Sequence, residues 1–190
     1  METSISLLER LRQPNNVRDW DRLVELYQPL LLTWAKRAGL QDADAADLVQ
    51  EVFALLYRKL PEFQYDRTRS FRAWLRTVTL NQWRSRQRKA FVRSETTPLE
   101  ALPEPEVEDP AAEFWEAEFN KELAKRALEI MREEFQPSTW KAFWAVVVEG
   151  RAPEEVAKEL GLSAGAVYAA RHRVKTRLKE ELAGLMDEIE

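Results

Sequence analysis

Residues 153–182 read PEEVAKELGLSAGAVYAARHRVKTRLKEEL, and the order of residue types predicts a short helix, a tight turn and a long helix. Ala157 is small enough for two crossing helices to approach closely, Gly161 supplies a left-handed turn, and Ser163 is placed to cap the second helix. Val156, Leu160, Leu162, Val167, Ala170 and Val174 recur at the spacing of one shared core. On the long helix Val167, Val174 and Leu178 gather inward. Gly165, Tyr168, Ala169, His172, Arg173 and Thr176 are left outward, the face that a recognition helix presses into a major groove. Arg171, Lys175, Arg177 and Lys179 flank that face at phosphate-reaching positions. A helical hairpin with a merely solvated basic face is the bland alternative. Catalysis or metal binding is the weaker reading of His172, because the chain has one His and no Cys to share a ligand shell.

Outward from this segment, residues 96–113, TTPLEALPEPEVEDPAAE, hold four of the chain's nine prolines. Such a stretch cannot run as one helix and predicts an exposed acidic linker over 93–112. It separates a first helical lobe, 1–92, from a second, 113–190. In the first, apolar residues at Trp20, Leu23, Val24, Tyr27, Leu30, Leu31 and Trp34 predict a buried helix face over 19–36, with Gly39 beyond its end. A second helix is expected from Asp42 to a stop at Pro61, and a third over 70–89. In the second lobe, helices are expected over 114–134 and 138–149, the latter with Ser138 as N-cap and Gly150 as terminator. The expected fold is all-α: two small helical lobes joined by a linker.

The composition agrees. The chain has 190 residues, 45% hydrophobic and 33% charged, with seven Trp against five Gly; this describes a helical protein able to bury a core. No cationic-then-apolar leader and no long apolar run is found, so a cytoplasmic location is expected. Without Cys, disulfides, thiolate nucleophiles and Cys-bound metals are excluded, and no cofactor, metal site or enzymatic chemistry is expected.

The net charge of −4 conceals a strong asymmetry. Residues 1–92 carry 16 Lys/Arg against 11 Asp/Glu, 93–118 carry 1 against 9, and 119–190 carry 12 against 13. Between Arg67 and Ser94 there are nine Lys/Arg and no acid, and between Ser163 and Lys179 five Lys/Arg, His172 and again no acid. Local fields govern phosphate binding, so the acidic total does not argue against nucleic acid.

The first basic island, RTRSFRAWLRTVTLNQWRSRQRK over 67–89, mixes Arg with aromatics and Asn81, a composition suited to partly unpaired nucleic acid. Phe71, Trp74, Leu75 and Val78 share one face and read as core, and packing is the favoured reading of Trp83 over exposure for stacking. On the preceding helix Asp47, Gln50, Glu51, Ala54 and Arg58 form a polar row opposite the apolar stripe. A solvated face is its usual explanation, and the first-turn acids suit the helix dipole. A Mg²⁺ site from Asp42, Asp44, Asp47 and Glu51 is the weaker reading, since no phosphate-cradling Gly loop accompanies it.

DLVQEVFALLYRKLPEF (47–63) followed by SFRAWLRTVTLNQWRSRQRK (70–89) resembles the second conserved region of bacterial RNA polymerase sigma factors of the extracytoplasmic-function (ECF) type. Residues 153–182 resemble their fourth region, and 93–112 falls where that family keeps only a linker. The resemblance implies a transcription initiation factor whose partners are core RNA polymerase and promoter DNA, with an anti-sigma factor as a further candidate. It implies Asp47, Gln50, Glu51 and Ala54 as the surface docking on the clamp helices of the beta-prime subunit. It implies Phe63 to Ser70, Arg76, Asn81, Arg84 and Arg88 at the minus-ten element. Ser163, Tyr168, His172 and Arg173 would read the minus-thirty-five element, with Arg171, Lys175 and Arg177 on phosphates. The chain departs from the family pattern at Leu80, where an Arg often precedes the Asn, in QYDRTRS, which lacks the usual Gly, and at Ala170, where many relatives carry Arg. From the residues alone, the competing functions are a stand-alone helix-turn-helix regulator, a carboxylate-dependent metal hydrolase around 42–51, and an adaptor without a nucleic-acid role.

Overall fold

A computed structural model describes residues 6–13, 16–62, 71–94 and 109–185, with backbone only at 91–94. Among them the chain is helical, without strands. The helices are α1 (Leu7–Leu11), α2 (Val17–Arg37), α3 (Asp42–Lys59), α4 (Phe71–Ser94), α5 (Phe119–Met131), α6 (Pro137–Val147), α7 (Pro153–Leu160) and α8 (Ala164–Leu182). Phe63 to Ser70 and residues 95–108, most of the expected linker, lie outside the described residues.

Local chemistry sets the ends. Ser6 and Glu9 close a reciprocal capping box on α1, and the Asn16 side chain accepts from the Asp19 N–H at the start of α2. Gly39, at φ 88°, follows the α2 C-cap. Helix α3 begins at Asp42 and gives way to a tighter turn, Leu60–Glu62, at Pro61. The expected helix over 114–134 is three pieces: a π-helical turn (Phe114–Glu118), α5, and a 3₁₀ turn (Arg132–Glu134). Ser138 is not the N-cap of α6. Gln136 holds that position and Pro137 enters the first turn, where its missing N–H costs no helical bond.

Helix α2 is the spine. Leu23, Tyr27, Leu31 and Trp34 are fully buried and belong to a main core that runs from α1 through α4 and on into Phe114, Trp115, Phe119, Leu123 and Met131, then to Leu182 and Leu185. Tyr27 joins the parts, its ring lying 5.6 Å from Phe71 and 6.0 Å from Phe119. Each large side chain so buried contributes about 1.5–3 kcal/mol. Trp83 packs edge-on to Trp34 at 6.4 Å and is buried, so it takes the packing role and not the stacking one. A separate small core of Ala142, Ala145, Val156, Ala157, Val167 and Ala170 holds α6, α7 and α8 together.

Candidate nucleic-acid interface

The turn between α7 and α8 forms as its residue types dictate. Gly161 adopts φ 63°, the left-handed region, and the Ser163 hydroxyl accepts from the Ala166 N–H at 3.1 Å. Val167 and Ala170 face the small core, while Val174, expected in the same core, packs in a neighbouring cluster with Trp140 and Phe143. Gly165, Tyr168, Ala169, Arg171, His172, Arg173, Lys175 and Thr176 are exposed. The expected groove-reading face is therefore open along its length. Ala170 packs in the small core, so the missing Arg at that position takes nothing from the exposed face.

Arg177 is placed differently from its neighbours. It contacts Glu134 at 3.1 Å and Glu181 at 2.8 Å. Glu181 is 1% exposed and also receives Arg22 at 2.9 Å, with Arg10 at 3.8 Å. Burial pushes the Glu181 carboxyl up, but hydrogen bonds from Arg177 and Arg22 and their positive charges outweigh it and hold the group below the usual Glu range. The same pairing raises Arg177 against the opposing effect of its burial.

Helix α4 carries the first basic island. Asn81 is exposed, while Arg76, Arg84 and Arg88 are half-buried. Arg76 pairs with Asp109 at 2.9 Å and with Glu116 at 3.7 Å. Asp109, its side chain 4% exposed, also accepts from Trp34 Nε1 at 3.1 Å and from the Ala111 N–H at 3.0 Å, so the last residues of the expected linker, 109–112, are not an exposed strap but are pinned against α2 and α4. Arg72 donates to the Trp115 carbonyl at 2.6 Å. These links were invisible in an acid-free run, because the partners lie 33 and 43 positions along the chain.

On α3 the row Asp47, Gln50, Glu51 and Ala54 is exposed throughout, and Tyr57 continues it at 64% exposure. Tyr57 leans on Trp20 of α2, the ring centroids 5.1 Å apart. Toward α4, Arg86 lies 3.5 Å from Asp44, 3.8 Å from Asp47 and 3.0 Å from Glu51. Lys36 pairs with Asp42 at 2.8 Å, and that hydrogen bond lowers the Asp42 pKa. The four acids weighed as a Mg²⁺ site thus face Arg and Lys side chains of this chain, and no acidic or His cluster among the described residues is arranged to hold a metal. No described helix is long and apolar enough to cross a membrane.

Comparison with known proteins matches residues 23–91 to the family model "Sigma-70 region 2". The chain is 30% identical to "RNA polymerase sigma-E factor" of Streptomyces coelicolor over 87% of each chain. It is also 30% identical to "ECF RNA polymerase sigma factor SigD" of Mycobacterium tuberculosis, over 87% of this chain and 77% of that one. A solved structure of CnrH in complex with the cytosolic domain of CnrY aligns over 91% of this chain and 92% of that one, at 23% identity and a TM-score of 0.37.

Proposed function

Since the chain belongs to the ECF-type RNA polymerase sigma factors of the sigma-70 family and serves in transcription initiation, we propose that it grips core RNA polymerase through Asp47, Gln50, Glu51 and Ala54 and reads promoter DNA with α4 and α8. The observation that carries this reading is the simultaneous exposure of the α3 row and of the Tyr168, His172 and Arg173 face in one molecule. In this reading residues 1–92 bind polymerase and the minus-ten element, 93–112 act as a strap pinned at 109–112, and 113–190 bind the minus-thirty-five element. Asn81, Arg76, Arg84 and Arg88 contact the minus-ten DNA, Arg76 by exchanging Asp109 for phosphate. Ser163, Tyr168, His172 and Arg173 face bases, with Arg171 and Lys175 on phosphates and Arg177 reaching DNA only by leaving Glu181. The protein acts as a non-enzymatic cytoplasmic factor.

A polymerase pull-down tests the grip. Gln50→Ala and Glu51→Ala are each expected to weaken retention on core while leaving the thermal midpoint within about 2 °C, because exposed substitutions cost within about 0.5 kcal/mol. Retention equal to wild type for both overturns the assignment. Tight, salt-dependent duplex binding without core, together with no stimulation of core-dependent initiation, would favour a stand-alone regulator.

A further inference from the structure

Within the acid-free run of α4, Arg86 lies between Arg84 and Arg88 and by composition alone reads as one more phosphate contact. Its surroundings differ from that expectation. The guanidinium donates to Glu51 Oε1 at 3.0 Å and lies 3.5 Å from Asp44 Oδ1 and 3.8 Å from Asp47 Oδ2. The Arg86 side chain is 22% exposed, against 61%, 66% and 48% for the side chains of Asp44, Asp47 and Glu51. The cation is therefore tucked beneath its partners, and the acids form the outer layer.

We propose that Arg86 is a positioning residue of the α3 docking surface, gathering Asp44, Asp47 and Glu51 into one fixed acidic trio, and is not itself a DNA contact. The inference rests on the proposed docking role of α3. Spacings of three and four residues place the trio on one side of the helix, where like charges repel and long side chains spread. A planar guanidinium from the neighbouring helix can address several carboxylate oxygens together, which a Lys point charge does poorly. With the acids held before a partner arrives, less side-chain freedom is lost on binding. The partner surface must then be basic, and Asp44 joins the contact set one turn N-terminal to Asp47.

The test measures affinity of the full chain for core polymerase. Exposed ion pairs are individually weak, so Arg86→Gln is expected to weaken binding about three- to tenfold and Arg86→Lys about threefold. Combining Glu51→Gln with Arg86→Gln should weaken it less than the product of the two single effects, since both act through one contact. Wild-type affinity of both Arg86 variants, with Glu51→Gln weakened, overturns the positioning role and leaves the docking surface standing. Wild-type affinity of Glu51→Gln together with wild-type affinity of Gln50→Ala overturns the docking surface itself. Fully multiplicative effects in the double variant also overturn the inference. Should Arg86→Gln unfold, Arg86→Lys decides: about threefold weakening supports the role, and none overturns it.

Discussion

Glu181 is the residue on which the two halves of the sequence converge. Its carboxylate is buried at the end of α8 and held by Arg177 from the same helix and Arg22 from α2, with Arg10 near by. Burying a charge is costly unless it is paired and hydrogen-bonded, and both conditions are met. Because the folded carboxyl titrates below the usual value of 4.5, its stabilisation is complete above the unfolded value and is lost as the pH falls through the folded one. Urea unfolding from pH 6 down to pH 3 should therefore show a drop in midpoint below about pH 4.5, shallower in Glu181→Gln. At pH 7 that variant should lose about 2 kcal/mol, since two guanidiniums keep a weaker partner. An unchanged pH profile in Glu181→Gln would remove the carboxylate from this role. The spacing of Arg177 and Glu181, four apart, was the local signal that Arg177 is not simply a phosphate contact. The roles of Arg22, Arg76 and Arg86 had no such signal, because each meets an acid from a distant part of the chain.

At the scale of elements, the helix-turn-helix shows how far local chemistry carries. Gly161, Ser163 and the apolar set from Val156 to Ala170 were readable because turn conformation, capping and 3.6-residue periodicity depend on near neighbours, whereas Val174 packs instead with Trp140 and Phe143. Gly161→Ala is a sharp test. An added Cβ would meet no atom within 4 Å, so any cost is conformational. At φ 63° that cost is about 1–2 kcal/mol, read as a lower midpoint in thermal or urea unfolding. No loss would mean that the turn relaxes out of the left-handed region. The limits of local chemistry show at α6 and at the π-helical turn. Ser138 has the composition of a cap, yet Pro137 at the helix start shifts the cap to Gln136. No composition signal marked Phe114–Glu118 as π-helical, where Phe114 and Trp115 are drawn into the core of the first four helices.

Across the whole molecule, the main core and a set of polar ties connect the two halves. Arg37 forms a two-point pair with Glu118 at 2.6 and 2.7 Å, Arg126 donates to the Glu25 carbonyl at 3.2 Å, and Tyr27 donates to the Leu185 carbonyl at 3.4 Å. Burial pushes the Tyr27 hydroxyl well above its ordinary pKa. These ties leave the outer face of α8, Asn81 on α4 and the α3 row exposed. A protein with net charge −4 gains little from long-range attraction to DNA. In the proposed reading, two modest DNA contacts become effective when a shared polymerase raises the local concentration of each site for the other. Photo-crosslinkers placed at Gln87 on α4 and at Thr176 on α8, with an end-labelled promoter fragment and purified core polymerase, address this directly. Crosslinks from both positions to separate places on the same fragment, dependent on core and lost with Glu51→Ala at limiting polymerase, are the expected result. Crosslinks from only one helix, or from both at equal strength without core, would contradict it.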